Sequence, residues 1–578
     1  MQPLARHHSV FFLILRRLRA PLILLITIMA IAVLGLTFMP GPIVDGEVQY
    51  MSFFHAVYFM SYTATTIGFG EVPYAFSDQQ RMWVAMCIFM SVFGWTYTLG
   101  TVFALLSDRN LRQAIATQRF VRAVRRLREP FYLVCGYGET GRLICHALDR
   151  MGLRSVVLEV DEAKVGEIDL HSFAADVPAL CADASNPELL GYAGLTHPSC
   201  AGVIALTNND ATNLAIAISA RLLAPRLPAL CRAEHRETSA NMASFGTRHI
   251  INPFERFGET LALALHAPIA SQLLNWLTGL PGSAVDRDRS PPRGHWIVCG
   301  HGRFGRWMVN AMDAEALPVT IIDRGMQTDG VHRWVHGDGT GAEALTEAGV
   351  AQATGIVAGT NSDVDNLSIA VTARELNPDL FVILRQNQYA NQALFQAFES
   401  DITVLPSEIV AHECLAILGT PLLAPFLDEI RRQDEAWCAE QLERLTARLG
   451  WTVPEIWSER VNLSRAPALY RRLMGGETIT LDMVLRSTID PGEYLECEVL
   501  IVERDDDDHL LMPPHDTALR PGDEILLAGT RHARNAFALG IANEHTLEYL
   551  VTGEDLPGGW IWRRLSRRKP QTLKPQLP

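Results

Sequence analysis

The sequence has no CxxC pair, and its ten cysteines are scattered with no His/Cys group at zinc-ligand spacing. None of them lies between Pro40 and Arg81. Neither a disulfide frame nor a structural metal is expected, and buried, reduced thiols are. Charge is missing altogether from two long stretches, residues 20–44 and 82–106. A basic balance is missing as well, since the net charge is -14. That excludes nucleic acid as the main partner, because phosphate binding needs a net basic face.

At 578 residues the chain exceeds one core, and three or four units are expected. Its charge is divided unevenly. Residues 1–130 carry 12 Arg and 6 acids, net +6, and the remainder is net -20. The front is thus basic and apolar, the back acidic and soluble, as in a membrane anchor with a cytoplasmic body. The uncharged run from Pro21 to Phe38 is long enough, at ~20 residues, to cross a hydrocarbon core. No small-x-small cleavage site follows at Phe38-Met39-Pro40, so it reads as an anchor and not a signal peptide. Met82 to Leu106 forms a second span. Arg16, Arg17 and Arg19 precede the first span, and Arg109, Arg112, Arg119, Arg122, Arg125, Arg126 and Arg128 follow the second. The positive-inside rule places both ends in the cytoplasm.

Between the spans, Met51 to Thr65 is apolar but only ~15 residues long, which predicts a re-entrant helix. Its C-terminal end would carry a partial charge of about -0.5 e into the membrane and favour a cation there. Next comes Thr63-Ala64-Thr65-Thr66-Ile67-Gly68-Phe69-Gly70-Glu71. At membrane depth such a backbone is tolerated only inside protein or along a water-filled path. The carbonyls of Thr66, Ile67, Gly68 and Phe69 and the Thr66 hydroxyl would replace an ion's water shell, with Gly68 and Gly70 supplying backbone angles that a Cβ disfavours. Residues 20–106 resemble the two-helix pore of potassium channels, whose filter typically reads T-x-T-T-V-G-Y-G-D. The match is at Thr63, Thr65, Thr66, Gly68 and Gly70, with departures at Ile67, Phe69 and Glu71. The resemblance implies potassium ions in the filter (Thr66, Ile67, Gly68, Phe69, Gly70) and four chains about one axis. The phenol hydroxyl missing at Phe69 predicts a less rigid filter. Gly94, within the second span, is either a gating hinge or a close-packing position. The basic stretch 109–130 reads as a linker helix. With no Arg-rich sensor helix, strong voltage gating is not expected.

From Phe131 the pattern becomes strand, glycine turn, helix. Tyr132 to Cys135 runs into Gly136-Tyr137-Gly138-Glu139-Thr140-Gly141-Arg142, and Val156 to Glu159 is the next strand. G-x-G-x-x-G with an acid about 20 residues on is the dinucleotide-binding arrangement. Alone it is weak, but Trp296 to Arg306 repeats it, with Asp323 in the place of Glu159. Gly202 to Asp210, followed by Asn213-Leu214, returns as Gly355 to Asp363, followed by Asn366-Leu367. Such a repeat predicts two Rossmann-like, doubly wound parallel-sheet α/β domains. They resemble RCK domains, which regulate potassium conductance (TrkA-N type), and 478–545 resembles the small α+β TrkA-C-like module of that family.

The expected organisation is a membrane α-helical pore domain 1–108 with re-entrant helix and filter, linker helix 109–130, first RCK domain 131–278, linker 279–293, second RCK domain with helical extension 294–477, C-terminal module 478–545 and basic tail 546–578. The candidate nucleotide residues are Gly136, Gly138, Gly141, Arg142, Glu159, Asp161 and Asp183 in the first copy. In the second they are Gly300, Gly302, Gly305, Arg306, Asp323, Arg324 and Asp338. An acid at 159 repels a ribose phosphate, favouring NAD(H), ADP or ATP. The acid-x-acid calcium pair of some relatives appears here as Arg232-Ala233-Glu234, so that site is not expected. Asp505 to Asp508 reads as a solvated hairpin turn, and the basic, aromatic tail Trp560 to Lys569 as disordered. Together these imply a homotetrameric, nucleotide-gated potassium channel with a ring of eight RCK domains. It would lie among the lipids of a prokaryotic inner membrane, with no catalytic residues and no metal site. The alternatives are a membrane-anchored NAD-dependent oxidoreductase, for which the sequence offers no convincing substrate acid or base, and a poorly selective cation channel.

Overall fold

The computed structural model describes residues 10–44, 47–279, 282, 290–325, 330–420, 422–490, 492–504 and 508–553. The tail Trp560 to Lys569, most of the linker 279–293, and Asp505, Asp506 and Asp507 lie outside the described residues. The chain divides into two compact units, 1–126 and 127–578.

In the first unit, α1 (Val10–Phe38) leads through a small antiparallel hairpin, β1 (Pro40–Val44) and β2 (Glu47–Tyr50), into the short α2 (Phe53–Ala64). The filter stretch follows, then α3 (Asp78–Ser107) and α4 (Arg109–Arg126). Among the described residues, two helices, Leu18–Phe38 and Asp78–Ser107, are long and apolar enough to cross a membrane. A capping box starts α3, in which Ser77 accepts from the Gln80 amide and Gln80 reaches back to Ser77. Ala32, Val33 and Leu36 of α1 pack with Ala56, Phe59, Met60 and Tyr62 of α2 and Val84 and Cys87 of α3. The core of this unit therefore sits around α2 and fixes the helix that ends at the filter.

In the second unit the first α/β copy runs β3 (Phe131–Cys135), α5 (Glu139–Arg150), β4 (Arg154–Glu159), α6 (Glu162–Leu170), β5 (Ala179–Cys181), α7 (Pro187–Tyr192), β6 (Cys200–Ala205), α8 (Asp210–Leu223), β7 (Ala229–Arg232), α9 (Arg236–Ser244) and β8 (His249–Ile251). Two helices, α10 (Pro253–His266) and α11 (Pro268–Thr278), follow. The second copy runs β9 (Trp296–Cys299), α12 (Arg303–Ala314), β10 (Val319–Asp323), β11 (Arg333–His336), α13 (Ala342–Glu347), β12 (Gly355–Ala358), α14 (Asp363–Leu376), β13 (Phe381–Arg385), α15 (Gln392–Phe398) and β14 (Ile402–Val404). The helices α16 (Pro406–Gly419), α17 (Leu423–Ile430) and α18 (Glu435–Leu449) follow it.

Both sheets are wholly parallel and share one order, β5-β4-β3-β6-β7-β8 and β11-β10-β9-β12-β13-β14. In each, the strand carrying the glycine turn lies at the centre, where the order reverses, and the carboxyl ends of the strands flank a crevice there. The cores are exchanged. Val410, Ala411 and Cys414 of α16 complete the core of the first copy against Ile144, Cys145 and Leu148 of α5. Phe254, Leu261 and Leu265 of α10 complete that of the second against Phe304 and Met308 of α12.

The C-terminal sheet begins earlier than expected. Residues 421–477 are not helical throughout, because β15 (Glu455–Arg460) pairs antiparallel with β18 (Glu524–Gly529), which also pairs with β16 (Cys497–Glu503). The module thus starts at Glu455 and not at 478. It contains α19 (Pro467–Met474), α20 (Leu481–Val484), β17 (His509–Leu511), α21 (Arg531–Ala542) and α22 (Glu544–Thr552). It also runs past 545, since Leu547 and Leu550 of α22 are buried. Asp508 lies between β16 and β17, which pair antiparallel.

Candidate functional site

The filter stretch starts where α2 ends. The Ile67 and Gly68 amides donate to the Tyr62 carbonyl at 2.9 and 3.2 Å, and Thr66 donates to Thr63 at 3.1 Å. These bonds hold the N–H side of the ribbon on the helix end. Positive φ occurs at Thr66 (63°), Gly68 (66°) and Gly70 (77°), and not at Ile67 or Phe69. An extended chain turns successive carbonyls to opposite sides, whereas alternating the hand of φ turns them to the same side. A Cβ on Gly68 or Gly70 would meet nothing within 4 Å. Glycine stands there for its left-handed conformation, not for space.

The outer end of the stretch is tied down by residues that the sequence pattern did not single out. The Tyr58 hydroxyl donates to the Glu71 carboxylate at 2.9 Å, and the Tyr62 hydroxyl donates to the Glu71 carbonyl. The Phe69 ring meets the Tyr62 ring edge-on at 5.9 Å. The hydroxyl missing from Phe69 thus has counterparts on α2. Gly94 lies inside the unbroken α3, and a Cβ there would come 2.8 Å from Ile28 Cδ1 and 3.3 Å from Leu25 Cδ2 of α1. At Gly94, α1 thus packs closely on α3.

At each glycine turn the three glycines do different work. Gly136 (φ 101°) and Gly300 (φ 89°) make the left-handed turn out of the central strand. Gly138 and Gly302 cap α5 and α12, and a Cβ on either would meet nothing within 4 Å. On Gly141 or Gly305 it would fall 2.1 or 1.9 Å from the carbonyl oxygen of Gly136 or Gly300. The third glycine therefore lets helix and strand touch, and the second leaves open the space in front of a helix N-terminus. That space suits an anion, because amides and helix dipole both point into it.

The acids stand at the carboxyl edge of each sheet. Glu159, 6% exposed, accepts from the amides of Tyr137, Val160 and Asp161. Asp323 accepts from the His301 amide at 2.6 Å and the Gly325 amide at 2.7 Å. Each acid thus holds the shape of its own glycine turn, a role the sequence did not suggest. Asp161 caps α6, and Asp183 accepts from the Ser185 amide. Asp338 bonds Thr340 and pairs with Arg324 at 2.9 Å, and the Thr340 hydroxyl and amide together with Arg324 pull its carboxyl down to about 2. Arg142 pairs with Glu139 at 2.9 Å and lies 6.0 Å from the Tyr389 ring of the second copy, whereas Arg306 is exposed.

Sequence reasoning also missed what lies between the copies. Glu234, 7% exposed, is ion-paired to Arg232 of its own copy and to Arg303 of the second glycine turn. Two arginines thus neutralise this buried carboxylate. Arg385 is buried 4.9 Å from the Phe254 ring and 5.6 Å from the Phe304 ring. That burial pushes its guanidinium down to about 10, so it stays charged at neutral pH.

Family models match at these places. The model described as TrkA-N domain matches residues 132–253 and again 296–406, and the one described as Ion channel matches residues 22–108. The chain joins an ion-channel module to two TrkA-N domains. An uncharacterized protein of Methanothermus fervidus is 25% identical over 43% of this chain and 38% of its own length. A probable potassium channel protein 2 of Methanocaldococcus jannaschii is 21% identical over 36% of this chain and 59% of its own. The chain thus spans between about two fifths and three fifths of these two relatives. Among solved structures, a GsuK channel bound to NAD aligns with 92% of this chain and 99% of its own, at 16% identity and a TM-score of 0.42.

Proposed function

We propose that this chain is the subunit of a homotetrameric, potassium-selective channel in a prokaryotic inner membrane, with both termini in the cytoplasm, gated by a nucleotide. The observation that carries this reading is the alternation of left-handed φ at Thr66, Gly68 and Gly70, directly after the short helix α2 and between two helices able to span a membrane. One such ribbon lines only part of a cage. Four about an axis would surround a dehydrated cation with the carbonyls of Thr66, Ile67, Gly68 and Phe69. The resemblance of 22–108 to an ion-channel module and the potassium channel among the relatives support potassium as the ion.

The glycine turns fit a nucleotide through their open second glycines and helix N-termini. In this reading Gly136, Gly138, Gly141 and Arg142 hold the phosphates in the first copy, with Glu159, Asp161 and Asp183 at its carboxyl edge. Gly300, Gly302, Gly305 and Arg306 do so in the second, beside Asp323, Arg324 and Asp338. NAD(H), ADP or ATP is the ligand class. The ligand gates the pore only by preferring one arrangement of the regulatory ring of eight domains over another, and the helix over 109–126 carries that difference to α3, with Gly94 as a hinge if α3 bends. Potassium flux from liposomes holding the purified protein, with NAD(+), NADH, ADP and ATP added in turn, tests both halves. Flux that is potassium-selective and nucleotide-dependent is expected. Equal passage of sodium defeats the selectivity assignment, and flux indifferent to every nucleotide defeats the gating.

A further inference from the structure

The two glycine turns carry opposite charges at one position. The residue after the second glycine is Glu139 in the first copy and Arg303 in the second. Glu139 is spent within its own turn, pairing with Arg142. Arg303, 38% exposed along its side chain, instead reaches Glu234 at the end of β7 in the first copy. Glu234 sits in a fixed frame, because its amide and that of His235 donate to the Asp210 carboxylate at about 3 Å. The corresponding residue of the second copy is Asn387, which cannot form such a pair. The ionic link therefore runs one way, from the second turn into the first copy. It lies beside the packed rings of Phe254 (α10) and Phe304 (α12), where the exchanged helix meets the second copy.

We propose that Arg303 couples the second glycine turn to the first copy: a nucleoside diphosphate or triphosphate bound there takes the Arg303 guanidinium from Glu234 and so breaks the link between the copies. This rests on the nucleotide reading above. Arg303 is the first residue of α12, directly after the open glycine, so an anion in front of that helix and the Glu234 carboxylate compete for one guanidinium. By linkage, whatever weakens the Arg303–Glu234 pair while leaving the Arg303 guanidinium in place tightens binding, and binding weakens the pair.

The test is calorimetric titration of ADP into the full-length protein in detergent, carrying Gly138→Ala so that the second turn is read alone, with Glu234→Gln, Arg303→Gln, Arg303→Lys and the Glu234→Gln/Arg303→Gln double variant. Glu234→Gln is expected to tighten ADP about tenfold and Arg303→Gln to weaken it about tenfold, the size of one charge-assisted hydrogen bond. In the double variant the Glu234→Gln gain disappears. Arg303→Lys keeps part of the affinity and covers the case in which Arg303→Gln does not fold. If ADP binds but Glu234→Gln leaves its affinity unchanged or lower, the coupling is refuted while the nucleotide reading stands. Binding of ADP to the parent protein but not to the Gly138→Ala background refutes the coupling in the same way. If neither ADP nor NAD(+) binds the parent protein, both fall.

Discussion

Gly302→Ala separates ligand space from folding space, and Gly305→Ala is its control. Gly302 has φ -77° and ψ -156°, which alanine adopts, and its Cβ would touch nothing within 4 Å. Replacing a glycine cap by alanine costs up to about 1 kcal/mol. The stiffer unfolded chain returns about 0.4–1 kcal/mol, so stability changes by less than about 1 kcal/mol. At Gly305 the new Cβ would stand 1.9 Å from the Gly300 carbonyl oxygen, in backbone that cannot swing aside. Opening α12 from β9 by more than an ångström puts that variant at or beyond the upper end of the ~1–3 kcal/mol typical of overpacking. A phosphate approaching the α12 N-terminus meets the Gly302→Ala methyl as a comparable overpacking, so affinity falls roughly tenfold to hundredfold. Thermal melting and nucleotide titration of both variants decide it. A Gly302→Ala protein that melts like the parent but no longer binds at the second turn is expected. If it binds NAD(+), ADP and ATP with parental affinity, the second glycine is not where a phosphate enters.

Other changes follow from named contacts. Tyr62→Phe and Tyr58→Phe each remove one hydrogen bond to Glu71, worth about 1 kcal/mol, and should lower potassium-over-sodium selectivity in reversal-potential measurements without changing the amount of protein in the membrane. Gly94→Ala places a methyl 2.8 Å from the mobile end of Ile28; packing alone predicts a small loss of stability with unchanged opening, and a large change in open probability would speak for a hinge. Glu498, 1% exposed, is pushed up by burial, but His515, Arg444 and Arg448 more than offset this and leave its pKa lowered. Its stabilisation is therefore present above the unfolded value of about 4.3 and is lost as pH falls below it. Melting between about pH 5 and 3 should be less pH-dependent in Glu498→Gln than in the parent protein.

The two spans, the filter stretch and the repeated sheets were legible because each depends on local pattern: an uncharged run, a glycine at a fixed offset, a hydrophobic run before a turn. β15 was not, because only Trp457 in Glu455–Arg460 is buried and its partner β18 lies some seventy residues on. The hairpin β1–β2 was not legible either, because its second strand, Glu47–Tyr50, is only four residues long and exposed throughout. At the nucleotide turns the sequence located the glycines but not the state of the acids. That Glu159 bonds the amides of Tyr137, Val160 and Asp161 is a property of the folded turn, not of spacing. The Arg303–Glu234 pair was hidden for the same reason, since it joins elements that meet only when the copies pack.

The exchange of α10 and α16 makes the two copies one body, and it predicts how a single copy behaves. In residues 131–278 alone, α5 loses the cover of Val410, Ala411 and Cys414, each no more than 2% exposed in the whole unit. Baring the matching face of Ile144, Cys145 and Leu148 costs about 1.5–3 kcal/mol for each large side chain, a large share of the ~5–15 kcal/mol that holds a domain together. The fragment carries its own substitute, because α10 follows β8 as α16 follows β14, and both open on a proline at the first turn. Two fragments can therefore trade α10 helices, each filling the face that α16 fills in the intact chain. The isolated first copy should be a dimer by light scattering, with Ile144→Asp abolishing it, whereas 127–553 needs no such partner for this face. A first copy that is monomeric and melts as the intact unit does would show that α16 is dispensable there, and that the copies are joined by less than a shared core.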